Sequence, residues 1–422
     1  MPTPQMSVYY FIQMAIILIA CRWVGWLARK MGQPQVIGEM IAGVALGPSL
    51  FGLVLPNAQA AIFPKSTTDV LYVVAQLGVG LYMFLVGTEV NVAHFRARYR
   101  SALWVSLAGI AMPFALAVLI TPWLLTLPGL FAAKTSLFNA SVFMGAATAI
   151  TAFPVLARII HERGLTGSRL GTLVLTAGAM DDAAAWCMLA IVLTSFGGGA
   201  SSASLTMGGG IGYALFMIFI GRRALRRLAD HVGPDKPLSA TVLAVVLAMF
   251  CLSAWAMDAI GIHAVFGGFL LGACLPRGAL TEKLREQLQP FVVIFLVPIF
   301  FTYSGMKTQL TLVLQPTMML AAVAAMLASF AGKGLACWAA ARASGESNNS
   351  AMAIASLMNA RGMMELILIN IALQAGIIEP GLFSILVLMA ITSTLMATPL
   401  FNWAMRRQPM GNNREYAVRA SS

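Results

Sequence analysis

The stretch TAGAMDDAAAWCM, Thr176–Met188, sets two adjacent carboxylates, Asp181 and Asp182, among Ala, Gly, Met and Trp in the middle of a long apolar run. Water does not surround such a run, so the charges need another partner. The rest of the chain says which solvent does surround it. Of 422 residues, 59% are hydrophobic and only 10% are charged. A soluble domain carries about 25% charged residues. This composition excludes an ordinary soluble fold and fits an all-α polytopic membrane protein.

Apolar runs occur near 8–28, 35–55, 69–90, 101–126, 138–160, 169–196, 207–221, 239–257, 261–276, 290–308, 314–340, 350–374 and 381–405. That makes about 13 transmembrane helices, most of them near the roughly 20 residues a membrane helix needs, with the seventh and ninth shorter. The net charge of +12 follows the same map. With the N-terminus outside and the C-terminus cytoplasmic, twenty-one basic residues fall in inside loops, while Lys65, Lys134 and Lys307 fall outside. Cytoplasmic loops of membrane proteins carry this excess. The charge is therefore an orientation signal in a bacterial inner (cell) membrane, with anionic lipid headgroups as partners and no nucleic acid.

No basic residue precedes the first apolar run, which reads as a first helix and not a removed signal. The five cysteines lie in apolar segments at spacings that suit neither a metal nor a disulfide framework. The Gly triplets at 197–199 and 208–210 lack the Lys-Ser/Thr ending of a phosphate loop. No metal cofactor or prosthetic group is implied. The largest inside loop, Gly221–Lys236, divides the chain into a first repeat of about 1–206, a linker helix and loop at 207–238, and a second repeat at 239–406. Together they form one transport domain, 1–406, followed by a short tail, 407–422. Two six-span repeats offset by one odd span have opposite orientation, a common plan in secondary transporters.

The fifth span of each repeat looks interrupted. FMGAATAITAFPVLARI (Phe143–Ile159) contains Thr148, Thr151 and Pro154; SLMNARGMMELILINIAL (Ser356–Leu373) contains Asn359, Arg361, Gly362 and Glu365. Pro154 cannot donate a backbone hydrogen bond. Polar and flexible residues at this depth are tolerated where they line a protein-enclosed cavity. Both spans are expected to be broken helices.

A carboxylate at the bilayer centre costs at least about 2.5–3.5 kcal/mol. Two neighbours also repel each other. Protonation, a bound cation or a basic partner makes the pair tolerable, and a proton and a cation then compete for the same oxygens. Lys333, in the middle of the eleventh span, is the obvious basic partner. Thr151 and carbonyls freed near Pro154 supply neutral oxygens; Thr148 is a weaker ligand candidate. Arg361 and Glu365 share a helix face four residues apart, and their expected role is to compensate half-helix ends. Glu39, in the second span, reads as a structural charge at a rim or subunit interface.

GQPQVIGEMIAGVALGPSLFG (32–52), VGLYMFLVGTEVN (79–91), TAITAFPVLARI (148–159), GAMDDAAAW (178–186), HAVFGGFLLGACLPR (263–277) and NARGMMELILINIAL (359–373) together resemble the cation:proton antiporters, especially the monovalent cation:proton antiporter-2 branch. The resemblance implies an inverted-repeat fold of 13 helices with two broken, crossing helices. It implies a homodimer, with the second and ninth spans on the dimer side and the fifth, sixth, twelfth and thirteenth in a moving core. It also implies Asp182 as the main cation and proton carrier, Asp181 at the first acidic position, and Lys333 as its basic partner. That set resembles electrogenic members, which move two protons per cation. Two departures stand out: Thr151-Ala152 replaces the Thr-Ser pair often found in the broken span, and Arg361 resembles electroneutral relatives.

The expectation is therefore a transporter and not an enzyme: a secondary active antiporter exchanging protons for Na⁺ or K⁺. The rival is a sodium-coupled organic anion symporter of related fold, against which two buried carboxylates argue by repelling an anion.

Overall fold

The computed structural model describes residues 4–64, 67–89, 99–163, 165, 168–196, 200–230, 232–233, 237–260 and 262–406. Some helical side chains lie outside that description, including those of Glu89, Pro154, His161 and Asp182. Every named element is a helix. One isolated β-bridge, between Phe131 and Ile378, ties two loops together. Without water in the bilayer core, a chain this apolar must satisfy its backbone within each segment, and helices do so.

In chain order the helices are α1 (Pro4–Lys30), α2 (Gln35–Leu46), α3 (Thr68–Glu89), α4 (Tyr99–Leu125), α5 (Leu137–Ala149), α6 (Phe153–Glu162), α7 (Arg169–Phe196), α8 (Ala200–Phe216) and α9 (Arg222–Asp230). There follow α10 (Ala240–Ala259), α11 (Ala264–Cys274), α12 (Ala279–Phe291), α13 (Val297–Lys307), α14 (Pro316–Met326), α15 (Gly332–Ala343), α16 (Asn348–Met358), α17 (Met363–Gln374) and α18 (Pro380–Arg406). Short helical turns fill several of the connections. Serines open three helices: the hydroxyls of Ser136, Ser239 and Ser347 accept from the backbone N–H groups of Asn139, Val242 and Ser350, each at 3.2 Å. Each satisfies one of the donors that a helix start leaves unpaired.

Among the described residues, nine helical segments are long and apolar enough to cross a membrane. The fifth expected run is two half-helices, α5 and α6, of 13 and 10 residues. The ninth is the 11-residue α11. The seventh run, expected to be short, belongs to a longer helical stretch, Ala200–Asp230, that passes through a π-turn at Met217–Gly221. Further π-turns, at Val292–Leu296 and Leu327–Ala331, join α12 to α13 and α14 to α15. Nothing in the apolar pattern signals these local widenings, because the side-chain period hardly changes over five residues.

The chain forms two compact units. The first comprises Met1–Trp23, Ala42–Asn91 and Ala190–Met306. Its centre is the packing of α3 on α11, where backbones touch. A Cβ on Gly272 would lie 2.0 Å from the Phe84 carbonyl oxygen, and one on Gly87 would lie 2.3 Å from that of Phe269. Lipid chains are as apolar as these helices, so close approach through small residues supplies the attraction.

The second unit comprises Val24–Ile41, Val92–Leu189 and Lys307–Ser422. It contains both interrupted spans. Its core gathers Val105, Leu156, Val174, Cys337, Leu357 and Phe401, among others. Burial grades the helices: the most apolar window of the 348–374 segment is 94% buried, whereas that of the 100–125 segment is 28% buried. The polar interrupted span therefore lies inside its unit, and α4 flanks it.

Candidate functional site

The two interruptions meet. α5 stops at Ala149 because Ile150 turns extended (φ −66°, ψ 134°), and α6 resumes at Phe153. α16 stops at Met358, and α17 resumes at Met363. Between the ends, Ala152 N donates to Ala360 O at 2.9 Å. The Thr151 hydroxyl lies 3.0 Å from Met358 O. Each break thus answers part of the backbone deficit of the other. An interruption is tolerable at this depth only with such partners.

Asp181, on α7, is the focus of the junction. It is 1% exposed. Oδ1 accepts from Ser106 Oγ at 2.6 Å. Oδ2 accepts from Thr151 Oγ1 at 2.6 Å and from Lys333 Nζ at 2.9 Å. Both side chains of the Lys333–Asp181 pair are fully buried. The ammonium also donates to Ala149 O at 2.5 Å. The Thr151 hydroxyl has one hydrogen and two neighbouring acceptors, Asp181 and Met358 O, so it serves one at a time.

A second buried cation sits beside the first. Arg361 Nη1 donates to Ala147 O at 3.0 Å and pairs with Glu365 Oε2 at 3.2 Å. Nη2 donates to Thr148 O and to Ser329 Oγ. The Arg361 backbone is fixed as well: its N–H donates to Thr394 Oγ1 at 2.8 Å, and its carbonyl accepts from the same hydroxyl at 3.0 Å. Three successive carbonyls at the C-terminal end of α5, those of Ala147, Thr148 and Ala149, therefore face cationic donors. A helix C-terminus carries partial negative charge and unpaired carbonyls, which cations stabilise. Each buried basic side chain thus has a carboxyl group beside it, Lys333 with Asp181 and Arg361 with Glu365.

The structure brings Asp181, Thr151 and Lys333 together, and it pairs Arg361 with Glu365. It turns the Thr148 hydroxyl away, toward Met144 O at 2.9 Å and Pro113 O at 3.2 Å. Asn359 caps the end of α16, and Gly362 is extended (φ 176°) at the start of α17. The side chains of Asp182 and Pro154 lie outside the described residues. Glu39, which the sequence placed at a rim or interface, is 3% exposed and accepts from Gln35 Nε2 at 2.7 Å. Ser106, Ser329 and Thr394 are contributors that the sequence reading did not name. Each is one hydroxyl in an apolar span, a weak signal because a Ser or Thr there more often bonds its own helix. Among the described residues, no three His, Cys, Asp or Glu side chains group as a metal site.

Two broken helices crossing at a buried carboxylate–ammonium pair define a class of helical membrane carriers. The fold is similar to that of the sodium proton antiporter MjNhaP1 from Methanocaldococcus jannaschii, with a TM-score of 0.65 over 94% of this chain and 99% of that one, at 14% identity. Residues 15–407 match the family model described as "Sodium/hydrogen exchanger, transmembrane", and the chain belongs to that family. It is 39% identical to Na(+)/H(+) antiporter NhaS4 of Synechocystis sp. over 91% of this chain and 94% of that protein. It is 33% identical to K(+)/H(+) antiporter 1 of Saccharomyces cerevisiae over 93% of its own length, and 32% identical to Cation/H(+) antiporter 17 of Arabidopsis thaliana over 92%. The chain spans about half the length of those last two, 46% and 47%.

Proposed function

We propose that the protein is a secondary active antiporter that exchanges protons for a monovalent cation, Na⁺ or K⁺, by alternating access. Proton and cation compete for a site built on Asp181 and Asp182. The observation that carries this reading is the fully buried Lys333–Asp181 pair, 2.9 Å apart, at the junction of the two breaks. The pair lies where two helices are broken, so oxygen atoms of side chains and of helix ends gather around it. Here the hydroxyls of Ser106 and Thr151 adjoin Asp181, and the Met358 carbonyl adjoins Thr151, so all three supply oxygen atoms.

In the proton-loaded state Lys333 holds Asp181. An arriving cation takes the carboxylate oxygens, with Thr151 rotated so that its oxygen faces the ion. Lys333 then gives up its partner and its proton. In the reverse step a proton returns to the amine, the pair re-forms, and the cation leaves. Ala149 O remains within reach of Lys333 throughout, which limits how far the amine travels. Asp182 is the principal carrier in this reading and Asp181 tunes it. If Asp182 and Lys333 each exchange one proton, two protons cross against one cation. The cycle then moves one net charge, worth about 2.3 kcal/mol per 100 mV. The fifth, sixth, twelfth and thirteenth spans form the moving core in this reading, and two copies of the chain associate as a homodimer in the cell membrane.

Everted vesicles from an antiporter-deficient host, energised to an acid interior, test the reading. Addition of Na⁺, Li⁺ or K⁺ is expected to dequench a pH dye for the wild type and not for Asp182→Asn or Asp181→Asn. A wild type that answers none of the three ions, while present in the membrane, would overturn it and move the anion symporter forward.

A further inference from the structure

A cavity of about 410 Å³ opens on the second unit between the end of α6 and the last turn of α18, lined by Arg163, Asn402, Met405 and Arg406. These lining residues bring two guanidinium groups and no carboxylate. The packing holds both sides in place. Arg163 Nη2 donates to Gly32 O at 3.3 Å, in the loop between α1 and α2. The next residue, Gln33, donates from Nε2 to Leu395 O of α18 at 3.1 Å. The loop thus ties Arg163 to the helix that carries Arg406. Two like charges at one cavity repel each other, and an anion between them relieves the repulsion. From Arg406 a stripe of exposed residues, Trp403, Pro399 and Met396, runs back along α18 at helical spacing. Trp403 and Met396 are 43% and 41% exposed. The stretch from 396 to 406 rises about 15 Å, half the roughly 30 Å hydrocarbon core of a bilayer.

We propose that this cavity binds an anionic glycerophospholipid, with the phosphate between Arg163 and Arg406 and an acyl chain along Trp403, Pro399 and Met396. The chemistry selects this occupant. Each guanidinium presents a planar fork that matches phosphate oxygens two at a time. The Asn402 amide both donates and accepts, which suits headgroup hydroxyls such as those of phosphatidylglycerol. A zwitterionic headgroup brings its own ammonium toward two cations. A soluble phosphate satisfies the arginines and leaves the apolar stripe uncovered, whereas a lipid covers both. Tryptophan and arginine at the end of a spanning helix also belong at headgroup level. The lipid links the end of α6, the half-helix that follows Thr151, to α18, whose Thr394 holds the Arg361 backbone. The binding itself does not depend on the transport reading.

The experiment uses the full chain in phosphatidylcholine nanodiscs and follows tryptophan quenching by phosphatidylglycerol brominated on its acyl chains and by phosphatidylcholine with the same chains. Trp403 reports the stripe, and Trp403→Phe gives the background from the other tryptophans. The Trp403 component is expected to reach half its quenching at about tenfold lower mole fraction of phosphatidylglycerol than of phosphatidylcholine, the gain of one charge-assisted hydrogen bond. Arg163→Gln and Arg406→Gln are each expected to lose most of that preference. Arg223→Gln/Arg226→Gln, which removes two exposed arginines from α9, is expected to keep it. Glycerol 3-phosphate at millimolar concentration is expected to leave the quenching unchanged. Equal quenching by the two lipids in the wild type overturns the proposal. So does a preference that falls as far in the α9 variant as in Arg406→Gln, which would make it an effect of overall charge. Relief of quenching by glycerol 3-phosphate overturns it as well and makes the ligand a soluble phosphate. Should Arg163→Gln not fold without its contact to Gly32, Arg406→Gln and the α9 variant decide.

Discussion

Arg361 Nη1 donates to the Ala147 carbonyl at 3.0 Å, so a side chain from one interrupted span caps the half-helix of the other. The guanidinium is fully buried and pairs with Glu365, also fully buried. Its planar fork suits the role, because separate nitrogens reach separate carbonyls. A lysine offers one point charge in place of that fork.

Arg361→Gln is therefore expected to destabilise the second unit. It strands the Glu365 carboxylate and frees the α5 carbonyls. Breaking a buried pair from one side costs about 3–5 kcal/mol. Thermal unfolding in detergent should show the loss. The double variant Arg361→Gln/Glu365→Gln should lose less than Arg361→Gln alone, because it leaves no uncompensated charge. A double variant as unstable as the sum of its singles would mean that the two residues do not act as a pair.

Lys333→Gln tests the other buried cation. The amide keeps a polar N–H donor but is one atom shorter, and it carries no proton to exchange. Proteoliposome flux in the wild type should respond to an imposed potential, by about 2.3 kcal/mol of driving force per 100 mV for one net charge. In Lys333→Gln the voltage response should vanish while exchange itself continues. Voltage-independent wild-type flux would remove the electrogenic cycle.

Much of this was legible in the sequence, for a physical reason. Charge in hydrocarbon is so costly that Asp181, Lys333, Arg361 and Glu365 stand out against their apolar runs, and few partners are available to them. Thr151 was legible because it sits two residues after the end of a half-helix with Pro154 close behind. The hydroxyls of Ser106, Ser329 and Thr394 were not legible. Their contacts, Ser106 to Asp181 across 75 positions for example, depend on tertiary packing. The π-turn at Leu327–Ala331, which holds Ser329, adds a residue to one turn without changing composition.

Thr151→Val keeps shape and volume and removes only the hydroxyl. It is expected to raise the apparent KM for the cation about tenfold, the weight of one hydrogen bond to a charged group. Thr151→Ser should restore most of the affinity. Because Ala152 N still bonds Ala360 O, the crossing survives and kcat should change little. Transport assays over a cation series separate the two parameters. A fall in kcat with KM unchanged would place Thr151 in the moving parts and not in the ion's shell.

Competition between protons and cation fixes the sign of the pH dependence. Each proton displaced on binding makes the apparent KM fall about tenfold per unit of rising pH, over the range in which the site titrates. Two displaced protons double the slope on logarithmic axes. The wild type is therefore expected to have its highest KM at acid pH, approaching a plateau at alkaline pH where no proton competes, with kcat much less affected. Raising cation concentration should rescue acid-inhibited flux. In Lys333→Gln the slope should drop by about one, because one of the two exchangeable protons is gone. An unchanged slope in that variant would assign both protons to the carboxylates. A KM independent of pH in the wild type would mean that cation and proton do not share the Asp181 region at all.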